Sequence, residues 1–391
     1  METATVLDIN RIQSWRRAQN ILCVRLDAMG DVLMTGPAIR ALRESAPNRR
    51  ITLLTSPSGA EAARLLPWVD DILIYEAPWM KASAPRADPA PDLAMIRRIA
   101  GAGFDAAAIF TVYSQNPLPA ALLCFLAGIP MRLAHCRENP YQLLTDWIAE
   151  REPEQFTRHE VRRQLDLVAA VGCRTADERM AVRIPEPARN RVIALLRAYY
   201  LTHLDRPWVV VHPGSTAASR RYAPESFAEA ARRLVVDHGV RVVFTGSESE
   251  RPLIEEIQGL MNGARSLSLA GRLELADLAA LLQRAPLLIS NNTGPVHVAA
   301  SVGTPVVDLY ALTNPQHTPW GAPSRVLNHD VPCKYCYKSV CPEGHHNCLR
   351  LVEPGRVVAA ALELLGLDRP SETAASFRRP TPADPIRSLG Q

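Results

Sequence analysis

The chain has 391 residues, 47 % of them hydrophobic and 21 % charged, with a formal net charge of +4. That length exceeds what one core usually sustains, so two domains are expected, and so small a charge, nearly all of it arginine, excludes a nucleic-acid binder while suiting discrete phosphate or carboxylate contacts. No apolar stretch reaches the length of a membrane span and the first twenty residues lack the order of a secretion signal, which points to a cytoplasmic protein able to touch a membrane surface.

In chain order, residues 1–20 carry Ile9, Ile12 and Trp15 at roughly helical spacing and predict a short lead-in helix. The apolar run Ile21 to Leu26 predicts a buried parallel strand, passing through Asp27-Ala28-Met29-Gly30-Asp31 into a helix from Val32 to Leu42. The rhythm repeats with strand 51–55, helix 59–66 and strand 72–75. A Pro- and Ala-rich stretch, 76–91, then interrupts it; so long a loop in a compact domain predicts a lid or binding loop. Helix 92–101, strand 106–110, helix 117–126 and a short strand at 131–133 restore the alternation. The polar segment 135–160 is expected as a surface excursion, and helix 158–171 closes the first domain, 21–185.

The second domain, 186–367, opens with a helix near 189–200 and strand 208–211. Helices 224–237, 250–261, 274–284 and 295–302 then alternate with strands 241–245, 267–270, 286–289 and 305–310, and a last helix spans 354–365. Strands separated by helices imply parallel sheets. The expected fold is therefore α/β, two doubly wound domains facing one another across a cleft. Residues 368–391, rich in Pro, Ser and Arg without apolar periodicity, predict a disordered tail.

Chemistry should gather at the strand ends, where helix starts face the ligand crevice. Ser290-Asn291-Asn292-Thr293-Gly294-Pro295-Val296-His297 follows an apolar run and opens a helix. Thr293 can cap that helix or lend its hydroxyl to a phosphate, Gly294 permits close backbone approach, and His297 lies one turn on. An ordinary turn and cap would use the same residues. His212-Pro213-Gly214-Ser215-Thr216 forms a second strand end, with Arg220 and Arg221 close behind, and two anion-ready turns in one domain fit a diphosphate. At a third strand end Glu248 is a candidate acceptor from ribose hydroxyls. In the first domain Asp31 follows Gly30 at a helix start, where the helix dipole should favour its charged form and lower its pKa. A carboxylate there, facing a phosphate-binding domain, suits a general base, with Arg25 or Asp27 to orient it.

These three stretches resemble glycosyltransferase family 9, the bacterial lipopolysaccharide heptosyltransferases, across about residues 20–367. The resemblance implies the GT-B fold of two Rossmann-like domains and transfer of heptose, with inversion, from an ADP-activated donor to a hydroxyl of the lipopolysaccharide inner core, without a catalytic metal. It also implies Asp31 as base, Thr293 and Gly294 at the diphosphate, His297 in support and Arg220 where the family places a lysine. Asn292, expected beside the donor, stands where the family often has aspartate, and Tyr222 where it often has tryptophan. The partners implied are a nucleotide sugar, a glycolipid acceptor and, peripherally, the inner face of the cytoplasmic membrane.

Cys333, Cys336, Cys341 and Cys348 have spacing that allows one tetrahedral zinc or iron ion, with reduced thiols and disulfides as alternatives. Two rival functions use much the same halves. A sugar-nucleotide epimerase would need carboxylates placed to pull a proton from the sugar, and an assembly protein would bind nucleotide or metal with an idle cleft.

Overall fold

The computed structural model describes residues 9–81, 83–199 and 207–368. Of the expected tail only Asp368 falls among them. The lead-in is helix α1 (Ile9–Arg17), which buries Trp15.

The first half alternates β1 (Asn20–Arg25), α2 (Met29–Glu44), β2 (Arg50–Thr55), α3 (Ala60–Leu65) and β3 (Asp71–Ile74). It continues with α4 (Ala90–Gly101), β4 (Ala106–Ile109), α5 (Leu118–Leu126), β5 (Met131–Cys136), β6 (Asp146–Ala149) and α6 (Glu160–Ala169). The second half runs α7 (Glu186–Ala198), β7 (Trp208–His212), α8 (Pro224–Val236), β8 (Arg241–Phe244), α9 (Arg251–Leu260), β9 (Ser266–Ser268) and α10 (Leu275–Arg284). It ends with β10 (Leu288–Asn291), α11 (Gly294–Val302), β11 (Val306–Leu309), β12 (Ser324–Leu327), α12 (Asn347–Arg350) and α13 (Pro354–Leu365).

Each half carries a six-stranded sheet, ordered β3-β2-β1-β4-β5-β6 and β12-β11-β10-β7-β8-β9. All strand pairs are parallel. Residues such as Ile21, Leu22 and Cys23 are wholly buried, as strands covered by helices on both faces require. Strand order reverses between β1 and β4 and again between β7 and β10, so each sheet opens a crevice at the carboxyl ends of those strands.

The expectation of a surface excursion at 135–160 is corrected. This segment contributes β6, and His135, Glu150, Glu152 and Glu160 are buried. Its buried carboxylates are paired, Glu150 with Arg163 and Glu152 with Arg158 at 2.5 Å, while Arg137, Glu138, Arg151 and Glu154 remain at the surface.

The halves touch extensively. One buried apolar cluster includes Val32 and Leu33 of α2 together with Val296 and Val298 of α11. Beside it the loop after β11 clasps the start of α6. Glu160 N donates to Gln316 O at 3.1 Å, Gln316 Nε2 donates to Glu152 Oε2 at 2.8 Å, and Trp320 Nε1 donates to Glu178 O at 2.8 Å. His159 Nδ1 accepts from Val161 N at 3.2 Å, which leaves Nε2 as the N–H facing Thr318 O at 2.8 Å and fixes a neutral ring.

Candidate active site

At the end of β1 the chain leaves the sheet through Asp27 and enters α2 at Met29. Ala28 makes no side-chain cap, so Asp31 in the first turn is the acid nearest the open N–H groups. Beneath it lies Arg25, wholly buried, whose guanidinium meets three carboxylates. Nε is 2.8 Å from Asp27 Oδ2, Nη2 is 3.1 Å from Asp31 Oδ1 and Nη1 is 2.8 Å from Glu160 Oε1. One cation shared three ways does not neutralise the group. Burial pushes the Asp31 carboxyl above its ordinary pKa, Arg25 pulls it back, and Glu160 raises it again. The expected lowering by the helix start is therefore corrected, because loss of water outweighs it. Burial likewise lifts Asp27 to about 6 against the pull of Arg25. Glu160 settles near 2, since Arg25, Arg163 and His317 together overcome its burial.

Asp31 and Asp27 line a cavity of about 780 Å³ in the first half, walled also by Trp79, Met80, Lys81 and Gln115. The 76–91 loop thus supplies cavity wall, as a binding loop should. Ser339, from the cysteine segment, reaches the same wall.

A second cavity, of about 430 Å³, opens at the ends of β7 and β10 and holds Ser215, Thr216, Thr293 and Gly294 together, with Met29 across from them. The two cavities share Ser58 and meet at the start of α2. Thr293 precedes α11 without capping it; its Oγ1 lies 3.3 Å from Asn291 O. Pro295 is tolerated because a first-turn residue has no N–H partner to lose. Arg220 ends a short turn after β7, and among the described residues its guanidinium makes no hydrogen bond or ion pair. Its charge is felt at Asp31, His297, Asp308 and His317, which places it between the halves. His297 is buried and neutral, its pKa brought down to about 3 by burial and then by His317, His159 and Arg220. Its ring fills the space beside Gly30, where an added Cβ would lie 2.8 Å from Cδ2. Gly30 therefore permits close contact between the halves. Met29 sits in the same way against Gly294.

Two expected donor contacts are placed elsewhere. Asn292 turns into the protein, its Nδ2 donating to Asp308 Oδ2 and to His317 O, both at 2.9 Å. Glu248 faces Arg251 on the surface and does not line the donor-sized cavity; Glu250 does. The Glu250 carboxylate accepts from Ser247 N at 2.7 Å and occupies the space where Gly214 lacks a side chain. Glu160 and Asp308, the latter raised to about 8 by burial, were also missed. Glu250 sits two residues beyond Glu248 in the same turn and was findable, whereas Glu160 lies 129 positions from Asp31 and was not.

All four cysteines of the C-terminal segment are unpaired and border one cavity of about 20 Å³. Among the described residues, no group of three or more His, Cys, Asp or Glu is drawn into metal-holding geometry.

Two facing parallel α/β halves, with a carboxylate at one crevice and anion-ready turns at the other, have the architecture of the GT-B glycosyltransferases. Residues 93–347 match glycosyltransferase family 9 (heptosyltransferase), and the chain belongs to that family. It is 28 % identical to lipopolysaccharide heptosyltransferase 2 of Escherichia coli K12 over 64 % of this chain and 73 % of that one. A putative glycosyltransferase of Haemophilus influenzae is 23 % identical over 75 % of this chain and 82 % of its own length. Among solved structures, the fold is similar to a family 9 glycosyltransferase from Veillonella parvula, with a TM-score of 0.74 at 22 % identity, covering 89 % of this chain and 97 % of that one.

Proposed function

We propose that this enzyme transfers heptose, with inversion, from an ADP-activated donor to a hydroxyl of a lipopolysaccharide inner-core-like acceptor, and that Asp31 is the general base. The observation that carries this reading is the junction of the two cavities at the start of α2, where Asp31 stands. Its pKa, raised by burial, makes it a stronger base than a solvated aspartate. The acceptor oxygen approaches from the larger cavity and gives its proton to Asp31 as it attacks the anomeric carbon from the face opposite the diphosphate. Charge growing on the leaving group is met by the open N–H groups at the start of α11 and by the unpaired Arg220. His297, held neutral, packs the junction without a competing cation. Glu250 accepts from the ribose hydroxyls, taking the part first given to Glu248, while Asn292 braces the donor loop from behind. Trp79 offers a flat apolar face to an acceptor sugar.

For the thiol segment the proposal is one structural zinc or iron ion on Cys333, Cys336, Cys341 and Cys348, outside the transfer itself. That all four border one cavity supports it, and binding would have to draw the sulfurs inward. Metal far below one per chain, in protein purified without added metal, would remove the idea.

None of the described helices is long and apolar enough to cross a membrane. Peripheral contact with the cytoplasmic face of the membrane is supported by α5, whose Leu122, Phe125 and Leu126 share one exposed face. The start of the same helix borders the larger cavity through Pro119 and Ala120.

The function is tested by incubating the protein with ADP-heptose and heptose-free lipopolysaccharide. The expected product gains one heptose with inverted anomeric configuration and appears only with acceptor present. Tight donor binding without transfer would overturn the reading, and an altered sugar nucleotide formed without acceptor would favour an epimerase.

A further inference from the structure

We propose that Glu160 is the positioning residue that sets the pose of the base, and that its main chain ties this pose to the seating of the donor half. The inference rests on the reading of Asp31 as the base. Glu160 lines neither cavity, so it acts through Arg25. Its Oε1 takes one prong of the guanidinium at 2.8 Å while Asp31 takes another at 3.1 Å. Because the guanidinium is a rigid plane, fixing one prong fixes the other. Gln164 Nε2 donates to the same oxygen at 2.7 Å and steadies it from the next turn of α6. A wholly buried carboxylate is costly, and an apolar side chain would pack α6 more cheaply.

The second observation is independent of the first. Glu160 N donates to Gln316 O at 3.1 Å, and the next carbonyl, that of His317, accepts from Asn292 Nδ2 at 2.9 Å. Asn292 immediately precedes Thr293 of the donor loop. A continuous line of contacts therefore runs from donor loop to base through Asn292, His317, Gln316, Glu160, Arg25 and Asp31. Parting the halves breaks it at Gln316, and the support of Arg25 loses its anchor. Such a line becomes a coupling only if perturbing it moves the base.

The charged and titratable groups facing this cluster are Arg25 and Asp27 at the end of β1, His159, Glu160 and Arg163 at the start of α6, and Arg220 and His317 from the second half. Of these, Asp27 and Glu160 add negative charge beside Asp31, and only Glu160 does so from outside both cavities. Glu160→Gln keeps the shape and removes the charge, so the base should become weaker and its proton should leave at lower pH.

The experiment is the pH profile of kcat/KM for Glu160→Gln, with donor KM measured alongside. The expected result is a kcat about tenfold or more below wild type, a donor KM within about twofold, and an acid limb about one pH unit lower. An unmoved limb, or donor affinity lost in step with kcat, would overturn the proposal, since a side chain that only packs α6 would give those results. Glu160→Asp keeps the charge and shortens the reach, so its limb should stay in place while kcat falls. Should the Gln variant not fold, wild-type kcat in Glu160→Asp would overturn the positioning role by itself. Asp31→Asn run in parallel separates the two readings. Transfer surviving there defeats the base assignment, whereas an inactive Asp31→Asn beside an unmoved limb in Glu160→Gln defeats only the present inference.

Discussion

The two crevices of this enzyme are built in opposite ways from the same sheet topology. At the end of β1, charge is crowded and locked: one buried arginine serves three carboxylates, and every partner is on the protein. At the ends of β7 and β10, charge is spare. Arg220 is unpaired, His297 is neutral, and Thr293 leaves the helix start uncapped. On the proposed reading, a group that must take a proton at a defined point is held by its surroundings, whereas a grip for a departing diphosphate is left incomplete until the ligand fills it.

The largest effect that would break this contrast is expected at Asp31. Asp31→Asn should cut transfer by about 10²-fold or more while leaving donor affinity in place, as steady-state kinetics and calorimetric titration of the nucleotide would show. Near-normal turnover would mean that the crowded crevice is only structural. A smaller effect sharpens the other side. Arg220→Ala and Glu250→Ala should each weaken ADP binding by about tenfold, the scale of one lost charge-assisted hydrogen bond, and Glu248→Ala should change it by less than about twofold. Equal losses for the two glutamates would undo the placement of the ribose. On the outer face, Phe125→Glu with Leu126→Glu should abolish co-sedimentation with anionic lipid vesicles and leave turnover of a detergent-solubilised acceptor unchanged.

The smallest effect concerns the clasp. His159 is held neutral by burial, with its pKa brought down to about 4. The unfolded chain takes up a proton as pH falls below about 6.5, before the folded one does, so the stability this ring supplies is present above that value and is lost towards pH 4. His159→Gln should therefore lower Tm by roughly 1–2 °C at pH 8, the scale of a lost helix cap in a chain of this size, and the gap to wild type should narrow as pH drops. A gap that widens in acid would show that the ring is charged in the clasp.

Much of this was legible in the sequence because the signals are local. Apolar runs ending in small or polar residues marked the strand ends, and Asp31, Ser215, Thr293 and Gly294 could be named from their place beside them. What escaped depends on burial and on distant pairing. The helix start made Asp31 look more acidic, and only the enclosed site beside Glu160 reverses the sign. The polar segment 135–160 looked solvated because its arginines and glutamates carry no mark of pairing with one another. Asn292 looked like a ligand contact, yet its side chain turns towards Asp308. Strand β12 was missed: Ser324-Arg325-Val326-Leu327 is an edge of mixed character, with Leu327 buried and Val326 open to solvent.

Gly30 against His297 and Gly294 against Met29 have one consequence for the working cycle. A single methyl group at Gly30 acts as a doorstop against the His297 ring, holding the jaws ajar just where they are tightest, whereas the tip of the Met29 side chain can swing aside from one at Gly294. On the proposed reading, Gly30→Ala would still collect its sugar nucleotide yet hold the base away from it, so one missing side chain decides whether the molecule is a catalyst or merely a container.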